Sequence, residues 1–241
     1  MAANRKSGVI FGELMNFDAL LMYAARIIAL LISIPVHESA HAFVSYKLGD
    51  PTAKNLGRIS LNPIRHFDLM GGLCMIFAGF GWAKPVPVDT RYYKNKKVGM
   101  AISSLAGPLS NILMAYLSII PAKSFGYLEL ATGGRTWYAL YIIFQYMAII
   151  NITLGIFNMI PIPPFDGSRI FLLVLPERWY FGVMRYERYI MVAIFALLFT
   201  GLLDGPLFFL QNGLLRGLDF LSGFVDVIAR GLLFRPNGIA V

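Results

Sequence analysis

Three residues in an apolar run are of the wrong type for their surroundings. Within "IPVHESAHAF" (34–43), His37, Glu38 and His41 sit where lipid would otherwise be expected. On a helix of 3.6 residues per turn, His37 and His41 project from one side a turn apart, the spacing that two ligands of one metal need. Glu38 is rotated by about 100° from His37, near enough to serve a water at such a metal without filling a ligand position. A catalytic zinc takes three protein ligands and keeps one position open, so the histidine pair needs a third group, acidic or nitrogenous. Asp166, in "FNMIPIPPFDGSRI" (157–170), is the expected third ligand. Pro161, Pro163 and Pro164 unwind the preceding helix end, and Gly167 lets the backbone turn directly after the carboxylate; a broken helix end beside a cavity is where membrane proteins tolerate ionisable groups. The rival ligand is His66 in "NPIRHFD", the only other histidine, read as a surface or second-shell residue of a basic loop.

Elements that position such a site must cross a bilayer. Of 241 residues, 57% are hydrophobic and 14% charged, with a mean hydropathy of +0.65, which marks a membrane protein. The net charge of +8 lies between the apolar runs, so its expected partner is anionic lipid and not nucleic acid. The single cysteine, Cys74, excludes an internal disulfide and any multi-cysteine zinc site. No cleavable leader is expected, and the whole chain, 1–241, reads as one integral-membrane domain. Its expected class is all-α and polytopic, with spans at about 19–46, 98–120, 139–160 and 190–210, each near the ~20 residues a crossing needs. Arg26 snorkels to the nearer interface. The stretch 69–82 is too short and glycine-rich to cross and predicts a re-entrant hairpin or short sheet, with Gly71, Gly72, Gly79 and Gly81 as turn positions. From 214 to 234, Arg216, Asp219, Asp226 and Arg230 line one side of an expected interfacial amphipathic helix. Nine Lys and Arg residues fall in 46–97 but only Lys123 and Arg135 in 121–138, so the first connection is expected in the cytoplasm. Spans one and three then end on that side, bringing the two unusual motifs to one face. Asn111, in "SSLAGPLSN" (103–111), is an amide inside a span and must find a partner there, whereas Ser103, Ala106 and Gly107 read as close-packing residues. "NIT" (151–153) matches a glycosylation acceptor but lies inside span three, where it has no such use.

With "HESAH" at 37–41, "AGPLSN" at 106–111 and "FNMIPIPPFDG" at 157–167, the chain resembles the site-2 protease family of intramembrane zinc metalloproteases. "LGRISLNPIRHFDLMG" (56–71) and "GWAKPVPV" (81–88) resemble its compact bacterial or archaeal branch, without PDZ or CBS domains. The resemblance implies a three-helix catalytic core with added spans and one zinc ion per chain on His37, His41 and Asp166. It implies Glu38 as general acid and base and Asn111 as a polar group beside the site; Asn111, Asn158 and His66 are the expected second-shell or substrate-binding residues. It further implies cleavage of peptide bonds in or near transmembrane segments of membrane-protein substrates. The expected setting is a prokaryotic cell membrane, with the site nearer the cytoplasmic face. The competing reading is a membrane zinc-binding or metal-transport protein, which would have no use for Glu38 as a base.

Overall fold

The computed structural model describes residues 17–77 and 82–233. Its helices are α1 (Phe17–Lys47), α2 (Thr52–Asn55), α3 (Leu69–Phe77), α4 (Lys96–Thr132), α5 (Arg135–Asn158), α6 (Asp166–Phe171), α7 (Glu177–Arg185), α8 (Glu187–Phe199), α9 (Asp204–Leu221) and α10 (Gly223–Leu233). There is no strand among the described residues, and α1, α4 and α5 are long and apolar enough to cross a membrane. The protein is an all-α, multi-pass membrane protein.

The three long helices pack pairwise through small and polar side chains. Ala25, Ala29, Ser33 and Ala42 of α1 and Ser103, Gly107, Asn111 and Ala115 of α4 are buried, while Leu109, Leu113 and Leu117, four apart on the opposite face of α4, are each more than half exposed. That inversion suits lipid, which is as apolar as leucine and gives it no reason to hide; close backbone approach is the gain that remains. Helix ends follow local chemistry. Asp18 and Lys47 complement the dipole of α1 at its two ends. Asn95 caps α4 by accepting the Val98 N–H at 3.1 Å, and Gly133, at φ 63°, stops it in the left-handed conformation that glycine adopts freely.

Several expected boundaries move. The connection at 121–138 shrinks to Gly133 and Gly134, because α4 runs through Pro121 for 37 residues, about 56 Å. The extension is held from outside: Lys123 Nζ meets Asp226 Oδ2 and Asp219 Oδ1 at 2.7 Å each, and Tyr127 donates to Asp226 Oδ1 at 3.1 Å. The expected span at 190–210 is broken at 200–203, with Gly201 at φ 72°, and α8, at 13 residues, rises only about 20 Å. It is α9 that packs on α4 and α5, its Leu218 joining Ala115, Ile119, Ala148 and Ile152 in one buried cluster. The helix expected at 214–234 is divided at Ser222 between α9 and α10. Within 69–82, residues 69–77 form α3 and not a hairpin, since Asp68 Oδ1 accepts the Gly71 N–H at 2.9 Å and starts a helix. Gly71 and Gly72 are therefore helical; Gly79 and Gly81 lie outside the described residues.

Candidate metal centre

Helix α1 carries His37 and His41 into the middle of the bundle, 7% and 8% exposed. Asp166 is delivered from the other side by the proline turn after α5. The Phe157 and Phe165 rings pack edge to face at 5.2 Å across that turn, and Ser168 N–H donates to Phe165 O at 3.0 Å. Gly167 acts here through space and not through an unusual φ: a Cβ on it would overlap the Met159 carbonyl. Three atoms converge as a result. His41 Nε2 lies 3.0 Å from His37 Nε2 and 3.1 Å from Asp166 Oδ2, and His37 Nε2 lies 3.3 Å from the same oxygen.

The hydrogen bonds behind the two rings fix their protons. His41 Nδ1 is 2.7 Å from Ser103 O; a carbonyl only accepts, so Nδ1 carries a proton and, in the neutral ring, Nε2 is the lone pair that faces the centre. For His37 the argument runs through two amides. Asn151 Nδ2 donates to Met147 O at 2.8 Å and to Ser33 Oγ at 2.7 Å, which turns its Oδ1 towards Asn111. Asn111 therefore donates Nδ2 to Asn151 Oδ1 at 2.8 Å and offers Oδ1 to His37 Nδ1 at 2.5 Å. His37 Nδ1 must hold a proton, so in the neutral ring its Nε2 is the lone pair as well. With both rings neutral, two nitrogen lone pairs and a carboxylate oxygen face one another, an arrangement that a bound cation, a metal ion or a proton, resolves. The 3.0–3.3 Å separations lie at or just below the edge of about 3.3–3.6 Å of a tetrahedron with metal–ligand bonds of ~2.0–2.2 Å, close enough for one ion to take all three atoms. Neutral histidines bonded behind to a carbonyl and an amide are the usual support of such ligands. The donor set and its spacing thus fit zinc, and among the described residues it is the group of His, Cys and acidic side chains with metal-binding geometry.

Gly107 sets how closely α4 can approach. A Cβ there would run into His41 Nε2 and the Cε1 atoms of both rings. Its close-packing role is thus with the site itself, not only between helices. Of the other expected residues, Glu38 is half-exposed beside His37, and its charge is felt by His41, Arg58 and His66. Asn158 turns its amide N–H back onto Leu154 O of its own helix at 3.0 Å. His66 is fully buried, which removes the surface alternative of the two expected for it, and lies outside the triad. Asn151, Ser33 and Ser103 were not anticipated. Ser103 acts through its main chain, which carries no side-chain signal, whereas Asn151 was open to the reasoning applied to Asn111, as an amide in an apolar run.

The model of Peptidase family M50 matches residues 25–201. The chain is 36% identical over 182 residues to YwhC of Bacillus subtilis, covering 73% of this chain and 80% of that protein. It is 27% identical over 147 residues to Rip2 of Mycolicibacterium smegmatis, covering 57% and 52%, and 26% identical over 159 residues to MJ0392 of Methanocaldococcus jannaschii, covering 66% and 37%. All three carry zinc metalloprotease in their names. No solved structure gives a significant match.

Proposed function

The chain belongs to peptidase family M50 and is a zinc metalloendopeptidase of the site-2 type, and from that premise we propose that it cuts peptide bonds in or beside transmembrane segments of other membrane proteins. In this reading His37, His41 and Asp166 hold one zinc ion and Glu38 is the general acid and base. The observation that carries it is the convergence of His37 Nε2, His41 Nε2 and Asp166 Oδ2 within 3.3 Å of one another inside the helix bundle. His41 and His37 stand six and ten residues before Lys47, about 9 and 15 Å of helix rise from the end of α1, which is well inside a hydrocarbon layer of ~30 Å.

Bound zinc supplies a Lewis acid that polarises the scissile carbonyl and makes the attacking water more acidic. The chain's own residues do the rest. Glu38 takes the water's proton and passes it to the departing amine. The Nδ1–H bonds to Ser103 O and Asn111 Oδ1 keep both imidazoles in one tautomer and orientation. A peptide bond in a helix is shielded and already hydrogen-bonded, so a substrate must unwind locally, and segments with Gly, Pro or Asn near the cut are favoured. The basic connection after α1 supports a site nearer the cytoplasmic face of a prokaryotic cell membrane.

Glu38→Gln keeps the shape of the side chain and all three proposed ligands. The variant is expected to hold one zinc per chain and to lose at least about 10²- to 10⁴-fold in rate on a single-span substrate in liposomes. Chelation should abolish cleavage by the wild type, and mass mapping should place the cut in or beside the span. Wild-type rates in the glutamine variant would remove Glu38 from its role. Cuts confined to soluble loops would remove the intramembrane substrate.

A further inference from the structure

From the metal centre towards the end of α1, a second line of polar groups leads away from His41. His37, His41 and Ser45 stand four apart on the buried face of α1, and Gly99, Ser103 and Gly107 four apart on the buried face of α4. Tyr93, from the connection before α4, is wedged between the two rows. A Cβ on Gly99 would lie 2.5 Å from the Tyr93 ring, and the Tyr93 hydroxyl is 2.8 Å from Ser45 Oγ. Ser45 Oγ donates in turn to Asp50 Oδ2 at 3.0 Å. Asp50 is fully buried, yet no cation pairs with it among the described residues. Main-chain donors complete its shell: Asp89 N–H on Oδ2 at 2.8 Å and Thr52 N–H on Oδ1 at 2.9 Å.

The direction of this line is forced from its acidic end. Burial alone would raise the Asp50 carboxyl, but the hydrogen bonds from Thr52, Asp89 and Ser45 outweigh it and hold the group below the usual carboxylate range. A carboxylate only accepts, so the one Ser45 proton goes to Asp50 and Ser45 Oγ must accept from Tyr93. Burial pushes the Tyr93 hydroxyl up, which keeps it a donor, and the Ser103 side chain hydrogen-bonds to it from α4. Ser103 Oγ also reaches His41 O at 3.3 Å. Three hydroxyls thus lead to one carboxylate, each polarising the next. An unpaired carboxylate three residues past the end of α1, where the helix dipole is itself negative, is poorly placed to add stability. It is well placed to hold Ser103, the residue whose carbonyl accepts from His41 Nδ1 at 2.7 Å.

Resting on the reading of His41 as a zinc ligand, we propose that Tyr93, Ser45 and Asp50 are positioning residues for it: together they fix Ser103, and with Ser103 the carbonyl that orients the His41 ring. None of the three touches the metal. Tyr93→Phe keeps the ring against Gly99 and removes the hydroxyl, and Ser45→Ala cuts the same line one step nearer Asp50. Each should lower zinc affinity about tenfold in competition with a chelator. Each should also shift the visible absorption bands of cobalt(II) bound in place of zinc, a signature of ligand geometry that a loss of stability alone does not move. Because both changes break one line, the double variant should bind zinc no more weakly than either single variant. Wild-type affinity and cobalt bands in Tyr93→Phe, whatever its melting temperature, leave Tyr93 a packing residue and overturn the proposal. Penalties that multiply in the double variant overturn it too. Should Tyr93→Phe fail to fold, Ser45→Ala decides by the same affinity and cobalt measurements. Wild type that binds zinc but cuts no single-span substrate would sink the protease reading and leave this one standing; wild type that binds no zinc would sink both.

Discussion

At the scale of single residues, the site depends on where four protons sit. The polarity of the relay from Met147 O through Asn151 and Asn111 to His37 is forced from its carbonyl end, so a change at Asn151 should be felt at a metal it does not touch. Asn151→Leu preserves volume and apolar character but leaves Asn111 Nδ2 buried without a partner, a cost of about 1–3 kcal/mol, and frees Asn111 to rotate. Zinc affinity, measured by competition with a chelator, is expected to fall about 10- to 100-fold. An unchanged affinity would mean that His37 is oriented without the relay. How much of this was legible differs by residue. The histidine pair was legible because a four-residue separation has one meaning on a helix, and Asp166 because three prolines and a glycine announce a broken helix end. Asn151 was passed over as part of a glycosylation tripeptide, although an amide deep in an apolar run demands a partner whatever follows it. Ser103 was beyond reach, since any residue supplies a main-chain carbonyl and only the packing of α4 on α1 decides which one meets His41.

At the scale of elements, what holds the site together is the contact of α4 with α1, and glycines regulate it unequally. Gly107 stands against both histidine rings, whereas a Cβ on Gly155 would meet Ile112, Pro108 and Asn111 at 3.4–3.6 Å, an ordinary contact. Gly107→Ala must therefore displace either the two rings or α4 itself, and each parts the histidines from Ser103 O and Asn111. The expected outcome is loss of bound zinc together with a destabilisation of about 1–3 kcal/mol from overpacking. Gly155→Ala should keep zinc and gain about 0.5–1 kcal/mol from the stiffer helix. Metal analysis and thermal unfolding of the two proteins separate the cases, and equal zinc content in both would refute the close-approach argument. Sequence alone could not rank these glycines, because both sit in apolar helical runs and differ only in what faces them. Helix ends show the same limit. Proline at 121 is a fair stop signal, but α4 continues because Lys123 and Tyr127 find Asp219 and Asp226, partners about a hundred residues away.

At the scale of the whole molecule, the open question of topology is which segment makes the fourth crossing. Hydropathy favours 190–210, yet that stretch is interrupted at Gly201 and its first half, α8, is too short to cross. Helix α9 has 18 residues, about 27 Å, and its contacts order it along the bundle. Gln211 meets Thr153, five residues before the end of α5, at 3.3 Å; Leu218 lies between Ala115 and Ile152; Asp219 meets Lys123 towards the far end of α4. Asp204 stands seven residues, about 10 Å of rise, before Gln211, which puts it level with the end of α5. We therefore expect α9, which starts at the depth where α5 ends and reaches the depth of Lys123, to make the fourth crossing, with Arg216 extending its guanidinium to the nearer interface. Charges at 204, 216 and 219 would hide such a crossing from a hydropathy scan, and the packing is what points to it. The test uses single cysteines in a Cys74→Ser background and a membrane-impermeant thiol reagent. Positions 64 and 130, both well exposed and on opposite sides of the bundle, serve as references for the connection after α1 and the far end of α4. A cysteine at Asp204 should be labelled from the same side as one at Ile64, and a cysteine at Leu232 from the same side as one at Leu130. If the crossing were instead 190–210, the cysteine at Asp204 would be shielded by lipid or labelled with Leu130. Labelling of Ile64 from the extracytoplasmic face would invert the whole arrangement, and with it the side from which water and substrate reach the metal centre.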